Sequence, residues 1–345
     1  MHFLDKSPGR TAKAGGREYL FFSGYNYLGV SDVPAFVQLL QEGMQKYGWL
    51  FPSSRISNTR LKLYEEAEAL FSEITGVEES VLFSSGFVAG RSALSLLEGE
   101  IMSAPDSHPA ILHETSFGAD RAQWTSFVTD YANSSPTPIS ITSDSVNPLK
   151  PGIYDFGFLQ KIRRQVTVLI DDSHGIGVTG KDGAGTASLV PSDTPARLLF
   201  SYSLSKAFGI AGGVAGGTKE FAEQLRNTSG YCAATPPLPA QMYAFLRGQE
   251  IYSEQRQKLY ENVRFFSECI RGIPGILFDF PFPVFVLPPW ADAALLQDQG
   301  VLISSFAYPD PRGPKLNRIV VNALHVPSDL EYAAESLWKL FKNAN

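Results

Sequence analysis

Lys206 stands in the run Phe200-Ser201-Tyr202-Ser203-Leu204-Ser205-Lys206-Ala207-Phe208-Gly209, and the stretch after it, Ile210 to Gly217, is only Ile, Ala, Gly and Val. Small hydroxyls, aromatics and glycine around a lysine predict a partly buried amine. Desolvation disfavours the ammonium and leaves the neutral, nucleophilic form. A single lysine beside a Gly-rich turn is more often an ordinary surface residue. The residues that change this reading lie upstream, where Val166-Thr167-Val168-Leu169-Ile170 runs into Asp171-Asp172-Ser173-His174-Gly175. The β-branched run predicts a buried parallel strand, and it ends on carboxylates and an imidazole, where open α/β sheets place their chemistry.

A lysine and a carboxylate at neighbouring strand ends match two of the three protein groups that pyridoxal phosphate (PLP) requires. The lysine forms a Schiff base and the carboxylate partners the pyridinium nitrogen. The third group is a phosphate site. Ser84-Ser85-Gly86-Phe87 follows a short predicted strand, Ser80–Phe83, and opens a helix, whose free backbone N–H groups suit a phosphate. Gly86 and Phe87 are therefore assigned by backbone, with Ser85 beside them.

The runs Asp171-Asp172-Ser173-His174-Gly175-Ile176-Gly177-Val178-Thr179-Gly180 and Ser203-Leu204-Ser205-Lys206-Ala207-Phe208-Gly209 resemble the α-oxoamine synthases, from about Tyr25 to about His325. The resemblance implies a fold-type-I PLP-dependent transferase of α/β class. Its large domain would hold a mostly parallel sheet flanked by helices, and a smaller α+β domain would follow. It implies Lys206 as the Schiff-base lysine and proton acceptor, Asp171 as the ring-nitrogen partner and His174 as the partner of the ring hydroxyl. Ser203 joins the cofactor-binding set. His108, in Ser107-His108-Pro109-Ala110, is the histidine stacked on the ring, with His113 and Phe117 as competitors. Arg318, in Arg318-Ile319-Val320-Val321-Asn322-Ala323-Leu324-His325, is the arginine that grips an amino-acid carboxylate, helped by Tyr25 and Asn26. The implied reaction condenses an amino acid with an acyl-CoA thioester, with loss of carbon dioxide in most family members. It would run in a homodimer whose sites span the subunit boundary.

Departures from the family pattern keep two other readings open. Thr59 and Tyr64 replace a glycine and a histidine, the segment from Trp124 to Pro151 is shortened, and Ala233-Ala234 replaces hydroxyl residues. An aminotransferase that uses no acyl-CoA, or a catalytically weak homologue with a regulatory role, accommodates these losses. Two overlapping motifs are set aside. Gly175-Ile176-Gly177-Val178-Thr179-Gly180 matches a dinucleotide fingerprint, yet Asp-Asp-Ser-His separates it from the strand and turn residues follow it. Ser203-Leu204-Ser205-Lys206 matches a serine-hydrolase motif whose companion elements are missing from the chain.

The chain that must position these residues has 345 of them, 44% hydrophobic and 19% charged, with a net charge of −6. That is an ordinary globular composition, and without a basic block it disfavours nucleic acid or an anionic membrane as partner. No apolar run approaches a membrane span, no apolar leader follows Met1, and the two cysteines fit a reducing compartment, so a cytoplasmic location is expected. No His/Cys spacing suggests a metal. Three parts are expected: residues 1–32, an irregular arm (1–17) and a segment joining the small domain; 33–235, the PLP-binding domain; and 236–345, the small domain, with its boundary at the proline-rich run 236–239. Helices are predicted from about Pro34 to Tyr47, from Leu61 to Gly76 with a solvated acidic face of Glu65, Glu66, Glu68 and Glu73, and from about Ala240 to Gly272.

Overall fold

A computed structural model describes residues 3–113, 120–308 and 311–343. The chain divides into two compact units. The larger comprises Ala35–Asn147 and Ile153–Gln249, and the smaller comprises Met1–Pro34, Pro148–Gly152 and Glu250–Asn345.

The larger unit is built on a six-stranded sheet in the order Glu79–Phe83, Gly213–Gly217, Ala196–Ser203, Val166–Asp171, Ile139–Asp144, Glu100–Ser103. Gly213–Gly217 runs antiparallel to both neighbours, while the remaining pairings are parallel. Val166–Asp171 is buried almost throughout, the burial that its β-branched run predicts for a central parallel strand. Helices Gly86–Leu94 and Lys219–Leu225 cover one face, where Ala89, Ala93, Phe221 and Leu225 pack on Val81, Leu169, Leu199 and Ala215. Five strands thus deliver their C-terminal ends to one edge: Phe83, Ser203, Asp171, Asp144 and Ser103.

The acidic helix spans Lys62–Thr75 and stops at Gly76, whose φ of 74° closes it in the left-handed region that glycine tolerates. Glu65, Glu66 and Glu73 are exposed as expected, but Glu68 is not. Its carboxylate lies in the core, accepting from Arg55 Nη2 at 2.8 Å and from the Leu82 N–H at 2.9 Å, with Arg226 Nη2 at 3.4 Å. Arg55, itself 2% exposed, sits over the Tyr64 and Tyr231 rings. A buried cation brought in from a preceding turn has drawn one glutamate of four inward.

The chain leaves the larger unit after Gln249, not at the proline run 236–239. Tyr64 donates to the Pro237 carbonyl at 2.8 Å, and the helix that opens next, Pro239–Arg247, buries Pro239, Ala240, Met242, Ala244 and Phe245. A Cβ built on Gly43 would fall 2.8 Å from the Ala240 backbone, so this helix lies hard against Pro34–Tyr47. The long helix expected from about Ala240 to Gly272 is therefore two, broken at Gly248, with Gln249–Cys269 as the second.

The smaller unit holds a five-stranded sheet ordered Thr11–Ala14, Arg17–Phe22, Val301–Ala307, Lys315–Val320, Val284–Val286. Only the pairing of Arg17–Phe22 with Val301–Ala307 is parallel. The expected irregular arm instead forms a hairpin, because Gly15 and Gly16 adopt φ of 58° and 79° and let the chain reverse. The imidazole of His325 stacks on Phe22 at 4.0 Å, and its Nδ1 accepts the Asn322 N–H at 3.1 Å. Helices Gln249–Cys269 and Pro327–Asn343 complete the unit.

Candidate active site

Lys206 sits in the loop that joins strand Ala196–Ser203 to the antiparallel Gly213–Gly217. Leu204 N–H donates to the Gly212 carbonyl at 3.1 Å and Ile210 N–H to the Leu204 carbonyl at 3.2 Å, while Gly209 takes φ 62°. Ser203 and Ser205 share a hydroxyl hydrogen bond of 2.9 Å. Burial lowers the Lys206 pKa, and the negative charges of Asp171 and Asp144 pull it back up. The amine is thus poised nearer neutrality than a surface lysine, with two carboxylates in electrostatic range.

Asp171 and Asp172 have separate jobs despite adjacency. Asp171 Oδ1 accepts the Ser173 N–H at 3.0 Å and its Oδ2 the Ser201 hydroxyl at 3.1 Å. Asp172 faces the other way and organises the following loop. Its Oδ1 accepts the Ser145 hydroxyl at 2.5 Å and its Oδ2 the Thr186 N–H at 2.8 Å, and burial pushes its pKa up to about 7. A Cβ on Gly175 or Gly185 would fall 2.0 Å from its oxygens, which accounts for two of the glycines of this turn. No α-helix follows Gly180 directly, so the G-x-G-x-x-G match is a carboxylate-centred turn. His174 lies half-buried in it.

At the helix start, the Ser85 hydroxyl accepts the Val88 N–H at 3.2 Å and so serves as the cap. Gly86 and Phe87, in the first turn, have no intrahelical acceptor for their N–H groups. Gly86 packs on the end of the lysine strand, since a Cβ there would lie 2.5 Å from Ser203 Cβ. The Phe87 ring is exposed, so backbone is what Phe87 offers inward.

His108 donates its backbone N–H to Asp144 Oδ2 at 2.8 Å, and its ring Nδ1 accepts the Ala110 N–H at 3.2 Å. Burial lowers its pKa, Asp171 raises it and Lys206 lowers it, so the ring lies within electrostatic range of both. The His113 N–H donates to Ser103 Oγ at 2.9 Å. Phe117 falls outside the described residues.

Asp144 is an addition to the sequence-derived set. It ends its strand opposite Asp171 in the parallel register. Burial raises its pKa strongly and Asp171 adds to this, while the His108 N–H, Arg121 and Lys206 oppose it. In the sequence, Ser143-Asp144-Ser145 reads only as the remnant of a shortened loop; the signal available is its place at the end of the alternating run Ile139-Ser140-Ile141-Thr142-Ser143.

The remaining candidates belong to the smaller unit. Arg318 Nη1 donates to the Pro148 carbonyl at 3.2 Å, its guanidinium lies 5.4 Å from the Phe306 ring centre, and its buried Nε has no acceptor among the described residues. Burial lowers its pKa, with Tyr27 and Tyr308 opposing. Asn26 donates to Ser31 Oγ at 3.0 Å, and Tyr25 is exposed.

A family profile described as aminotransferase class I and II matches residues 153–337, more than half of the chain. This chain belongs to the aminotransferase class I and II family. Among curated relatives, an 8-amino-7-oxononanoate synthase from Vibrio cholerae is 27% identical, over 98% of this chain and 92% of the relative. A serine palmitoyltransferase from Sphingobacterium spiritivorum is 26% identical, over 95% and 88%. These relatives fit the α-oxoamine synthase group within the aminotransferase class. The fold is that of solved fold-type-I enzymes. A Sphingomonas wittichii serine palmitoyltransferase superposes with a TM-score of 0.81 at 19% identity, covering 99% of this chain and 92% of that one. An 8-amino-7-oxononanoate synthase from Francisella tularensis gives 0.73 at 22%, covering 94% and 98%.

The donor set of this family member fits pyridoxal phosphate. The desolvated amine of Lys206, the buried carboxylate of Asp171 and the first-turn N–H groups of Gly86 and Phe87 match in type the three groups that the cofactor needs, and they follow strands that end at one edge of the sheet. Among the described residues no cluster of His, Cys, Asp and Glu could hold a metal, and no helix is long and apolar enough to cross a membrane.

Proposed function

We propose that the protein is a PLP-dependent acyltransferase that condenses an amino acid with an acyl-CoA thioester. The observation that carries this reading is Lys206, an amine desolvated beside Asp171 and Asp144 at one sheet edge. Support for acyl transfer, as opposed to PLP chemistry in general, comes from a relative named for palmitoyl transfer that aligns with 95% of the chain.

Bound pyridoxal phosphate supplies an electron sink for negative charge at the substrate α-carbon. Lys206 would hold the cofactor, and its amine would take the substrate α-proton as general base, a task suited to an amine whose pKa burial has lowered. Asp171, held by Ser173 and Ser201, would keep the ring nitrogen protonated. Gly86 and Phe87 N–H groups would hold the phosphate, and Ser203, His174 and His108 would orient the ring. Arg318 is carried over as the residue that grips the amino-acid carboxylate; its unsatisfied Nε supports this, because an arginine fork suits a carboxylate.

We further propose a homodimer in the cytoplasm. In the larger unit Met44, Trp49, Leu50, Ile56 and Phe87 are exposed, apolar surface that a second copy would cover. The test of function mixes holoenzyme with amino acids, with and without acyl-CoAs, and follows free thiol. Thiol release that requires the amino acid is expected. If every thioester fails while a 2-oxo acid returns the cofactor from amine to aldehyde form, the protein is an aminotransferase.

A further inference from the structure

His108 lies in the loop 104–113 that follows strand Glu100–Ser103 of the larger unit. Backbone N–H groups fasten this loop to the sheet. Ala104 donates to the Thr142 carbonyl at 2.8 Å, His108 to Asp144 Oδ2 at 2.8 Å and His113 to Ser103 Oγ at 2.9 Å. Between these points the chain folds on itself. The Ile111 and Leu112 N–H groups donate to the His108 carbonyl at 3.0 Å, and the Ala110 N–H donates to His108 Nδ1 at 3.2 Å. That last bond fixes the imidazole against its own loop and leaves Nε2 as the protonated nitrogen of the neutral ring. A Cβ on Gly90 would fall 2.9 Å from that of Ala110, so the loop also packs closely on the helix Gly86–Leu94. The place of the ring is thus set by what holds the loop, and at His108 itself the holder is Asp144.

Asp144 ends the strand Ile139–Asp144 as the register partner of Asp171, and register partners leave a sheet on the same face. Burial raises the pKa of Asp144 strongly and Asp171 adds to this, so the position calls for a hydrogen-bond acceptor more than for a second negative charge. Its Oδ1 takes no hydrogen bond among the described residues. Asparagine can therefore offer its oxygen to His108 and set its NH2 where Oδ1 stands. A side chain with no acceptor in reach would leave the His108 N–H unpaired, which favours loop positions that let water reach it.

Resting on the reading of His108 as the residue stacked on pyridoxal phosphate, we propose that Asp144 is a positioning residue that ties the His108 loop to the strand end beside Asp171. Amide hydrogen exchange of the full chain as purified tests the tether in wild type, Asp144→Asn and Asp144→Ala. The His108 amide should exchange about tenfold faster in Asp144→Ala and at the wild-type rate in Asp144→Asn. The Leu82 amide, bonded to Glu68, should stay unchanged as the folding control. Asp144→Ser, one bond too short to reach His108, carries the test if the alanine variant misfolds. Cofactor affinity and the visible circular dichroism of the holoenzyme then test the role, in Asp144→Ala, His108→Ala and the double variant. Each single variant should bind PLP about fivefold more weakly and change the dichroic band. The double variant should be no weaker than His108→Ala, because Asp144 acts through His108. Unchanged His108 exchange in Asp144→Ala, an asparagine variant that exchanges like the alanine one, or faster exchange with unaltered cofactor affinity would overturn the proposal. So would additive losses in the double variant, or a His108→Ala that leaves the cofactor unaffected. If wild type binds no PLP, the functional reading fails, and faster His108 exchange in Asp144→Ala still establishes the tether by itself.

Discussion

Lys206 has the environment of a nucleophile, and the first expectation concerns it directly. Borohydride reduction of the yellow holoenzyme followed by peptide mapping should place the cofactor on Lys206, and a label on another lysine would remove it from the site. Asp171→Asn should leave the fold intact, because the amide oxygen can still accept the Ser173 N–H while its NH2 donates to the Ser201 hydroxyl. Turnover should nonetheless fall by about a hundredfold, on the order of 3 kcal/mol in the barrier, since the protonated ring nitrogen loses its counter-charge. Near-normal turnover in that variant would mean that another group partners the ring. Lys206 and Asp171 are legible in the sequence because the residue types that chemistry demands stand in runs whose composition also marks strand ends. Asp144 is not, because a lone carboxylate in a shortened segment carries no motif. Its significance comes from register, which sets it opposite Asp171. Its bond from the His108 N–H is equally silent, since the two residues stand 36 positions apart and only the folded sheet brings them together.

At the level of elements, periodicity gives Pro34–Tyr47 and Lys62–Thr75 to within a residue or two, and β-branched runs give the central strands. What it cannot give is which charged residue on a helix turns inward. Glu68 shares its helix with exposed glutamates, and only the arrival of Arg55 and Arg226 distinguishes it. Glu68→Ala should therefore destabilise the larger unit by about 3–5 kcal/mol, because Arg55 would remain buried beside nothing of opposite charge. Glu65→Ala, on the exposed face, should cost under about 0.5 kcal/mol. Urea unfolding of the two variants checks the contrast, and equal small effects would show that the Arg55–Glu68 pair is dispensable. The misplaced boundary near 236–239 has a related cause. A proline run signals a break in secondary structure, yet Pro237 and Pro239 here lead a helix packed on its own unit.

At the scale of the whole chain, two buried groups tie stability to pH with opposite signs, one in each unit. Burial holds His325 near a pKa of about 4, below its unfolded value, so the unfolded chain binds one more proton between about pH 4 and 6.5 and stability rises with pH there. Burial holds Asp172 near a pKa of about 7, above its unfolded value, so the folded chain binds the extra proton from about pH 4 to 7 and stability falls with pH. Over the shared window the two slopes, each about 1.4 kcal/mol per pH unit, nearly cancel. Removing one exposes the other. His325→Phe keeps a ring against Phe22 and should tilt the stability profile downward with rising pH relative to wild type. Asp172→Asn should tilt it upward, and the double variant should return to the wild-type slope, since the two groups share no partner. Urea unfolding at pH 4.5, 5.5 and 6.5 reads these slopes. Two single variants that tilt in the same direction, or a double variant that keeps either tilt, would show that other groups govern the acid response.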